Sequence, residues 1–183
     1  MQGKHVHIVG AGNSAGQAAA HLAKRAGTVT LLVRGDSLAK SMSEYLIAEL
    51  RRTPNVVVRL GVELVDGEGD EQLEAIVVRD REAGALERIP TAGLFVMIGA
   101  EPHTDWLDGA VARDERGFIL TGADLNTHGR GGWPLERAPL LLETSLPGVF
   151  AVGDVRANNV KRVASAVGEG SIAVSFVHRV LAE

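Results

Sequence analysis

His5-Val6-His7-Ile8-Val9 runs directly into Gly10-Ala11-Gly12-Asn13-Ser14-Ala15-Gly16, and the residues from Gln17 to Arg25 are good helix formers. The order is an apolar strand, a glycine turn and a helix start. Gly10 allows a sharp exit from the strand. Gly12 carries no side chain, so a pyrophosphate can approach the backbone. Ala15 or Gly16 keeps the helix close to the strand. The free N–H groups and positive end of the new helix then face the phosphates. The spacing Gly-x-Gly-x-x-(Gly/Ala) in this context predicts dinucleotide binding. A plain strand-to-helix turn is the competing reading.

Composition narrows the classes. The chain has 183 residues, of which 45% are hydrophobic and only 4% aromatic. The core is therefore built from Val, Leu, Ala and Ile, as suits buried parallel strands. A net charge of −4 gives no electrostatic reason to expect nucleic acid or an anionic membrane as partner. With no cysteine in the sequence, thiolate chemistry and disulfides are excluded within this chain. No apolar run has the length of a membrane span and the N-terminus has no signal-peptide pattern, so a cytoplasmic protein is expected.

Beyond the first helix, Gly27 reads as a stop and Thr28 to Val33 as the second strand. Strands in this position commonly end in Asp or Glu to hold the ribose hydroxyls. Here the residue is Arg34, which suits a 2′-phosphate and favours NADP over NAD. Asp36 is the competing acid, further past the strand end, and a merely solvated Arg34 is the bland alternative. Ser37 to Arg52 reads as the second helix, with Leu38, Met42, Tyr45, Leu46 and Leu50 at helical spacing. Val56 to Leu60 is the third strand. From Gly61 to Pro90, short alternating segments broken by glycines predict an antiparallel meander, its charges forming a solvated face. Gly93 to Ala100 reads as a buried strand ending at Gly99, where open α/β sheets place ligands.

Phe118 to Thr121 has the pattern of a strand, and Asp124 to Arg137 that of an exposed loop in which Trp133 is either an anchor or a contact. A second site signal follows. Pro147-Gly148 turns into an expected buried strand, Val149 to Val152, which stops at Gly153-Asp154. Lys161 and Arg162 then open a last helix reaching about Leu181. Two cations oppose the dipole at that end, which a negative ligand group would explain. Gly168 and Gly170 weaken the helix unless a partner surface approaches closely.

With these segments in place, the chain resembles the thioredoxin reductase-like flavoproteins over nearly its whole length. Gly10 to Ala15, with Gly12, Asn13 and Ser14, resembles their NADPH fingerprint. Phe95 to Thr104 resembles their strand and turn between domains, and Gly148 to Val155 their C-terminal FAD motif. The resemblance implies NADP and FAD as cofactors, with Asp154 beside Gly153 on a ribityl hydroxyl. The helix start at Arg162, Val163 and Ala164 would then face the flavin O2 with its backbone N–H groups. It implies an α/β fold with a Rossmann-like parallel sheet and an antiparallel β-meander insertion (residues 1–104), and a C-terminal strand–helix segment of an incomplete FAD domain (residues 105–183). A homodimer is implied by the family alone.

Two departures qualify the resemblance. The first half of the family's split FAD domain has no counterpart here, and the one fingerprint serves one dinucleotide. The family's Cys-x-x-Cys is also missing, so this chain alone is not expected to reduce disulfides. The expectation is a fragment of an NADPH-dependent flavoprotein oxidoreductase. The alternative is a non-catalytic dinucleotide-binding module that completes a flavin site with another chain. No residue is singled out as a catalyst. His5 and His7 share a strand face without a third ligand, so no metal site is expected. Gly12-Asn13-Ser14-Ala15-Gly16 has the spacing of a nucleophile elbow, with His103, His128 and His178 downstream, and would require Ser14 on a strained turn.

Overall fold

A computed structural model describes residues 2–127 and 133–182. The chain forms two compact units, Met1–Gly99 and Ala100–Glu183. In the first, β1 (His5–Val9), α1 (Asn13–Leu22), β2 (Thr28–Val33), α2 (Glu44–Arg52) and β3 (Val56–Leu60) alternate as two crossover units. Next come β4 (Val62–Glu68), β5 (Ala75–Asp80), β6 (Leu86–Pro90) and β7 (Leu94–Val96). The parallel sheet has the order β3-β2-β1-β7 and the antiparallel sheet the order β4-β5-β6. Val6 pairs with Val29 and Ile8 with Leu31, while Ile8 also pairs with Phe95.

The two-residue side-chain period sorts β1 and β2 onto two faces. Val6, Ile8, Val29, Leu31 and Val33 pack with Ala15, Ala19, Met42, Leu46 and Leu50 of the helical layer. Val9 and Leu32 point the other way, against Val62, Ile76 and Val78 of the meander. Both faces of the parallel sheet are thus covered, which accounts for its near-continuous apolar strands. His7 belongs to the meander face, buried, its Nδ1 2.8 Å from the Thr91 hydroxyl. Burial, then His5, then Arg59 hold its pKa below the ordinary histidine value.

Two sequence expectations change here. The second helix starts at Glu44, not Ser37. Ser37 accepts a bond from the Ala39 amide, Ser41 donates to the Ala11 carbonyl, and the Ser43 amide donates to Asn13. Serine side chains and loop contacts take the backbone away from the helix, although Leu38 and Met42 still pack in the core. Gly93 to Ala100 is not a buried strand. Only Leu94–Val96 pairs, at the sheet edge, and Ile98 is 72% exposed. The meander's charges form exposed pairs, Arg59–Glu87 at 2.7 Å and Arg88–Glu68 at 2.6 Å.

The second unit carries little regular structure before α3 (Asp124–Thr127) and α4 (Val163–Leu181). Phe118, Leu120, Leu125 and Ala157 form its core, with Ala112 and Trp133 against it. Trp133 is an anchor, since its indole N–H donates to the Arg137 carbonyl. Neither Phe118 to Thr121 nor Val149 to Val152 becomes a strand. Among the described residues they form only isolated bridges, Arg113–Ile119, Ile119–Arg156 and Glu143–Phe150. Both are short apolar runs, and among the described residues no neighbouring strand completes a ladder with them. Residues 128–132, including His128, lie outside the described residues.

Candidate functional site

The N-terminal unit places its glycine turn at the C-terminal edge of the parallel sheet. Gly10 leaves β1 at φ +144, a conformation side chains rarely adopt, and its amide donates to the Leu32 carbonyl at 3.1 Å. A methyl group there would lie 2.4 Å from the Met97 carbonyl oxygen. Gly12 is different. A Cβ there would meet only the Ser41 carbonyl, at 3.9 Å, so the backbone is open on that side. Gly12 is the N-cap of α1, with no side-chain cap bond and no acidic residue in the first turn. The helix thus presents uncapped N–H groups and an uncompensated positive dipole end to the cleft.

That cleft encloses about 790 Å³ and brings together Gly10, Gly12, Asn13, Ser14, Arg34 and Gly99. Ala15 lies beneath it, fully buried against the sheet. Asn13 also accepts the Ser43 amide at 2.8 Å and so braces the turn against α2. Arg34 is exposed at the end of β2 and, among the described residues, its guanidinium makes no hydrogen bond or ion pair. Asp36 is tied to Lys40 at 2.7 Å, beyond the cleft lining. Glu63 of β4, unnoticed in the sequence, does line the cleft and faces Arg79 at 3.9 Å. Its approach depends on the meander folding back, which no local pattern encodes. Ser14 sits in the first turn of α1 without positive φ, so the strained elbow that a nucleophile would need is not formed. Among the described residues no group of three or more His, Cys, Asp or Glu could hold a metal ion.

The second signal lies in the C-terminal unit. Gly153 is buried at φ +74 and opens a short 3-10 turn in which Asp154 is exposed. A Cβ at Gly153 would come within 3.1 Å of the Ala166 side chain, so the turn lies directly on α4. Glu169 fastens it. Its carboxylate accepts the Gly153 amide at 2.7 Å, Arg156 at 2.9 Å and Asn159 at 2.7 Å. Arg156, then Gly153 and Asn159, hold its pKa below the usual carboxylate range against the opposing effect of burial. Glu169→Ala should therefore loosen the Gly153–Asp154 turn and destabilise the unit by about 2 kcal/mol, with a smaller loss for Glu169→Gln. Equal denaturant midpoints for wild type and the alanine variant would remove Glu169 from this role.

Arg162 is the N-cap of α4, with no side-chain cap bond, and Val163 and Ala164 follow in the first turn, both exposed. Lys161 has acceptors of its own. Its ammonium donates to the Asp154 carbonyl at 2.7 Å and the Arg156 carbonyl at 3.3 Å, and stands 4.1 Å from the Phe118 ring centroid. Gly168 and Gly170 have open space where a Cβ would project. The close approach expected of them is thus not made by the described residues of this chain.

The N-terminal architecture is a parallel sheet with helices on one face, an antiparallel meander on the other and a glycine turn at a strand end, and its fold is that of the thioredoxin reductases. The chain belongs to the pyridine nucleotide-disulphide oxidoreductase family, whose model matches residues 1–170. It is 34% identical over 173 residues to an NADH dehydrogenase of Ferdinandcohnia aciditolerans, covering 94% of this chain and 30% of that protein. It is 37% identical over 172 residues to an alkyl hydroperoxide reductase subunit of Pseudomonas aeruginosa, covering 93% and 29%. The thioredoxin reductase structure from T. acidophilum aligns with a TM-score of 0.73 at 27% identity, over 100% of this chain and 54% of that one. The chain thus spans about 30% of the length of these two curated relatives. No described helix is long and apolar enough to cross a membrane.

Proposed function

We infer that this chain supplies the NADPH-binding unit and the C-terminal FAD-binding segment of a thioredoxin reductase-like flavoprotein oxidoreductase. The observation that carries the reading is the cleft in which Gly10, Gly12 and the uncapped start of α1 meet Arg34, whose guanidinium has no partner among the described residues. Gly10, Gly12, Asn13 and Ser14 would hold the pyrophosphate, Ala15 keeps α1 on the sheet, and Arg34 would take the 2′-phosphate. Gly99, at the end of the β7 segment, borders the same cleft. In the C-terminal unit Asp154 would hold a ribityl hydroxyl. Arg162, Val163 and Ala164 would present backbone N–H groups to the flavin O2. The hydride chemistry belongs to the two cofactors; the chain's residues bind, orient and set the local charge.

The rest of the flavin site comes, in this reading, from polypeptide outside these residues. Helix α4 supports it: this 19-residue helix has no buried residue, and Val163, Val167, Val174 and Leu181 are exposed. A helix with apolar residues on several sides requires a cover. The absence of cysteine and the single fingerprint favour a second reading, a non-catalytic module completing a flavin site with another chain. Dimer formation and a cytoplasmic location are proposed only by analogy with the family.

Titration of the full chain separates these readings. Retained FAD that is bleached by NADPH without air supports the oxidoreductase, and NADPH binding without flavin supports the module. Binding of neither overturns both. Arg34→Glu should weaken NADPH by roughly 10- to 100-fold and NADH by much less. Equal losses would overturn the assignment of the 2′-phosphate to Arg34.

A further inference from the structure

The structure assigns to Arg81 the second guanidinium of a two-arginine clamp for the ribose 2′-phosphate. Arg81 begins the β5–β6 turn, which its sequence surroundings mark only as a charged, solvated hairpin. Three hydrogen bonds fasten that turn to the end of β2. The Arg81 amide donates to the Gly61 carbonyl at 2.9 Å, and the Gly61 amide to the Gly35 carbonyl at 3.0 Å. The Arg81 Nη1 donates to the Arg34 carbonyl at 3.1 Å. Arg34 lines the cleft that holds Gly10 and Gly12, and Arg81, 47 positions away, is bonded to the Arg34 carbonyl just outside that lining.

No carboxylate among the described residues pairs with either of them. Asp36 is held by Lys40 and Glu87 by Arg59, both at 2.7 Å. Glu63 faces Arg79 at 3.9 Å. The Asp80 carboxylate accepts the Glu82 and Ala83 amides at 2.9 and 2.8 Å, and these bonds keep its pKa below the usual range. Glu82 is exposed within the turn. The rim is left with two guanidiniums, and the hydrogen bond that anchors Arg81 there uses its Nη1. A phosphate monoester carries close to two negative charges and accepts from two forks at once.

This assignment rests on the NADPH reading, and the test separates their failures. The full chain is titrated with adenosine 2′,5′-bisphosphate and with 5′-AMP, as wild type, Arg34→Gln, Arg81→Gln and Arg81→Lys. Wild type should prefer the bisphosphate. Arg81→Gln should lose roughly fivefold to tenfold for the bisphosphate alone, and Arg81→Lys should recover part of that loss by keeping the charge. An Arg81→Gln loss equal for both ligands, or absent while Arg34→Gln still discriminates, overturns the clamp and leaves the NADPH reading standing. A wild type without preference, indifferent to both arginines, overturns the NADPH reading and the clamp together.

Discussion

Replacing Glu143 by alanine should unfold the C-terminal unit under conditions where the wild type is stable, at a cost of about 3–5 kcal/mol. Glu143 has 0% exposure. Its carboxylate accepts Arg137 through both Nη atoms at 2.8 and 2.9 Å, the Leu140 amide at 2.9 Å and the Gly148 amide at 2.8 Å. The variant would take the carboxylate away from Arg137 and leave two backbone donors facing an empty site. Glu143→Gln keeps the volume but turns an amide NH₂ toward donors, and should cost about 2 kcal/mol.

The same clamp sets an acid limit. Burial pushes the Glu143 carboxyl up, but Arg137 and the Gly148 and Leu140 amides outweigh it and bring the pKa down from 4.5 to about 2. A depressed carboxylate stabilises the fold above its unfolded pKa. The contribution, about 3 kcal/mol, is lost as pH falls from 4.5 toward 2. His7 acts on the other unit in a different window. Its folded pKa lies below 6.5, so its neutral form favours the fold at higher pH and stability falls as pH drops below 6.5. Trp133 reports the first limb, because Arg137 lies over its ring at 5.2 Å while Trp106 is 81% exposed. Tryptophan-detected melts that are the same for wild type and Glu143→Gln between pH 2 and 5 would contradict the clamp.

The second large effect separates two glycines that look alike in the sequence. Gly10→Ala should destabilise the N-terminal unit by about 3 kcal/mol or more, because its methyl meets the Met97 carbonyl at 2.4 Å and its φ is +144. The Met97 amide donates to the Val9 carbonyl at 2.7 Å, so relief would require β7 to move away from β1. Gly12→Ala should leave the melting temperature nearly unchanged, its nearest neighbour being 3.9 Å away. That methyl would project where a pyrophosphate must come close, so NADPH binding should be lost. An NADPH titration of Gly12→Ala matching wild type would remove the glycine turn from phosphate binding.

Much of the N-terminal unit was legible because its signals are local. A helix closes its hydrogen bonds within four residues, and the strand–glycine–helix order is written in consecutive positions. The misread start of α2 came from Ser37, Ser41 and Ser43, whose side chains or loop contacts served partners 2 to 30 positions away, and the buried strand expected over Gly93 to Ala100 shrank to the edge strand Leu94–Val96. Strands are harder, since a short apolar run shows that a segment can be buried but not whether a neighbouring strand exists. Phe118 to Thr121 and Val149 to Val152 carry the pattern and find only single bridges.

The sequence by itself therefore determined the parallel unit, the meander, the glycine turn with Arg34 behind it, and the family resemblance. The tertiary structure alone decided which distant groups come together: Ser43 on Asn13, Glu63 and Arg81 beside Arg34, Glu169 beneath Gly153, and Glu143 around Arg137. The Glu63, Arg81 and Glu169 contacts join segments brought together by packing, and the Glu143 contact closes a loop whose bends carry no periodic signal. In each, the partner is chosen by where the chain returns rather than by residue type.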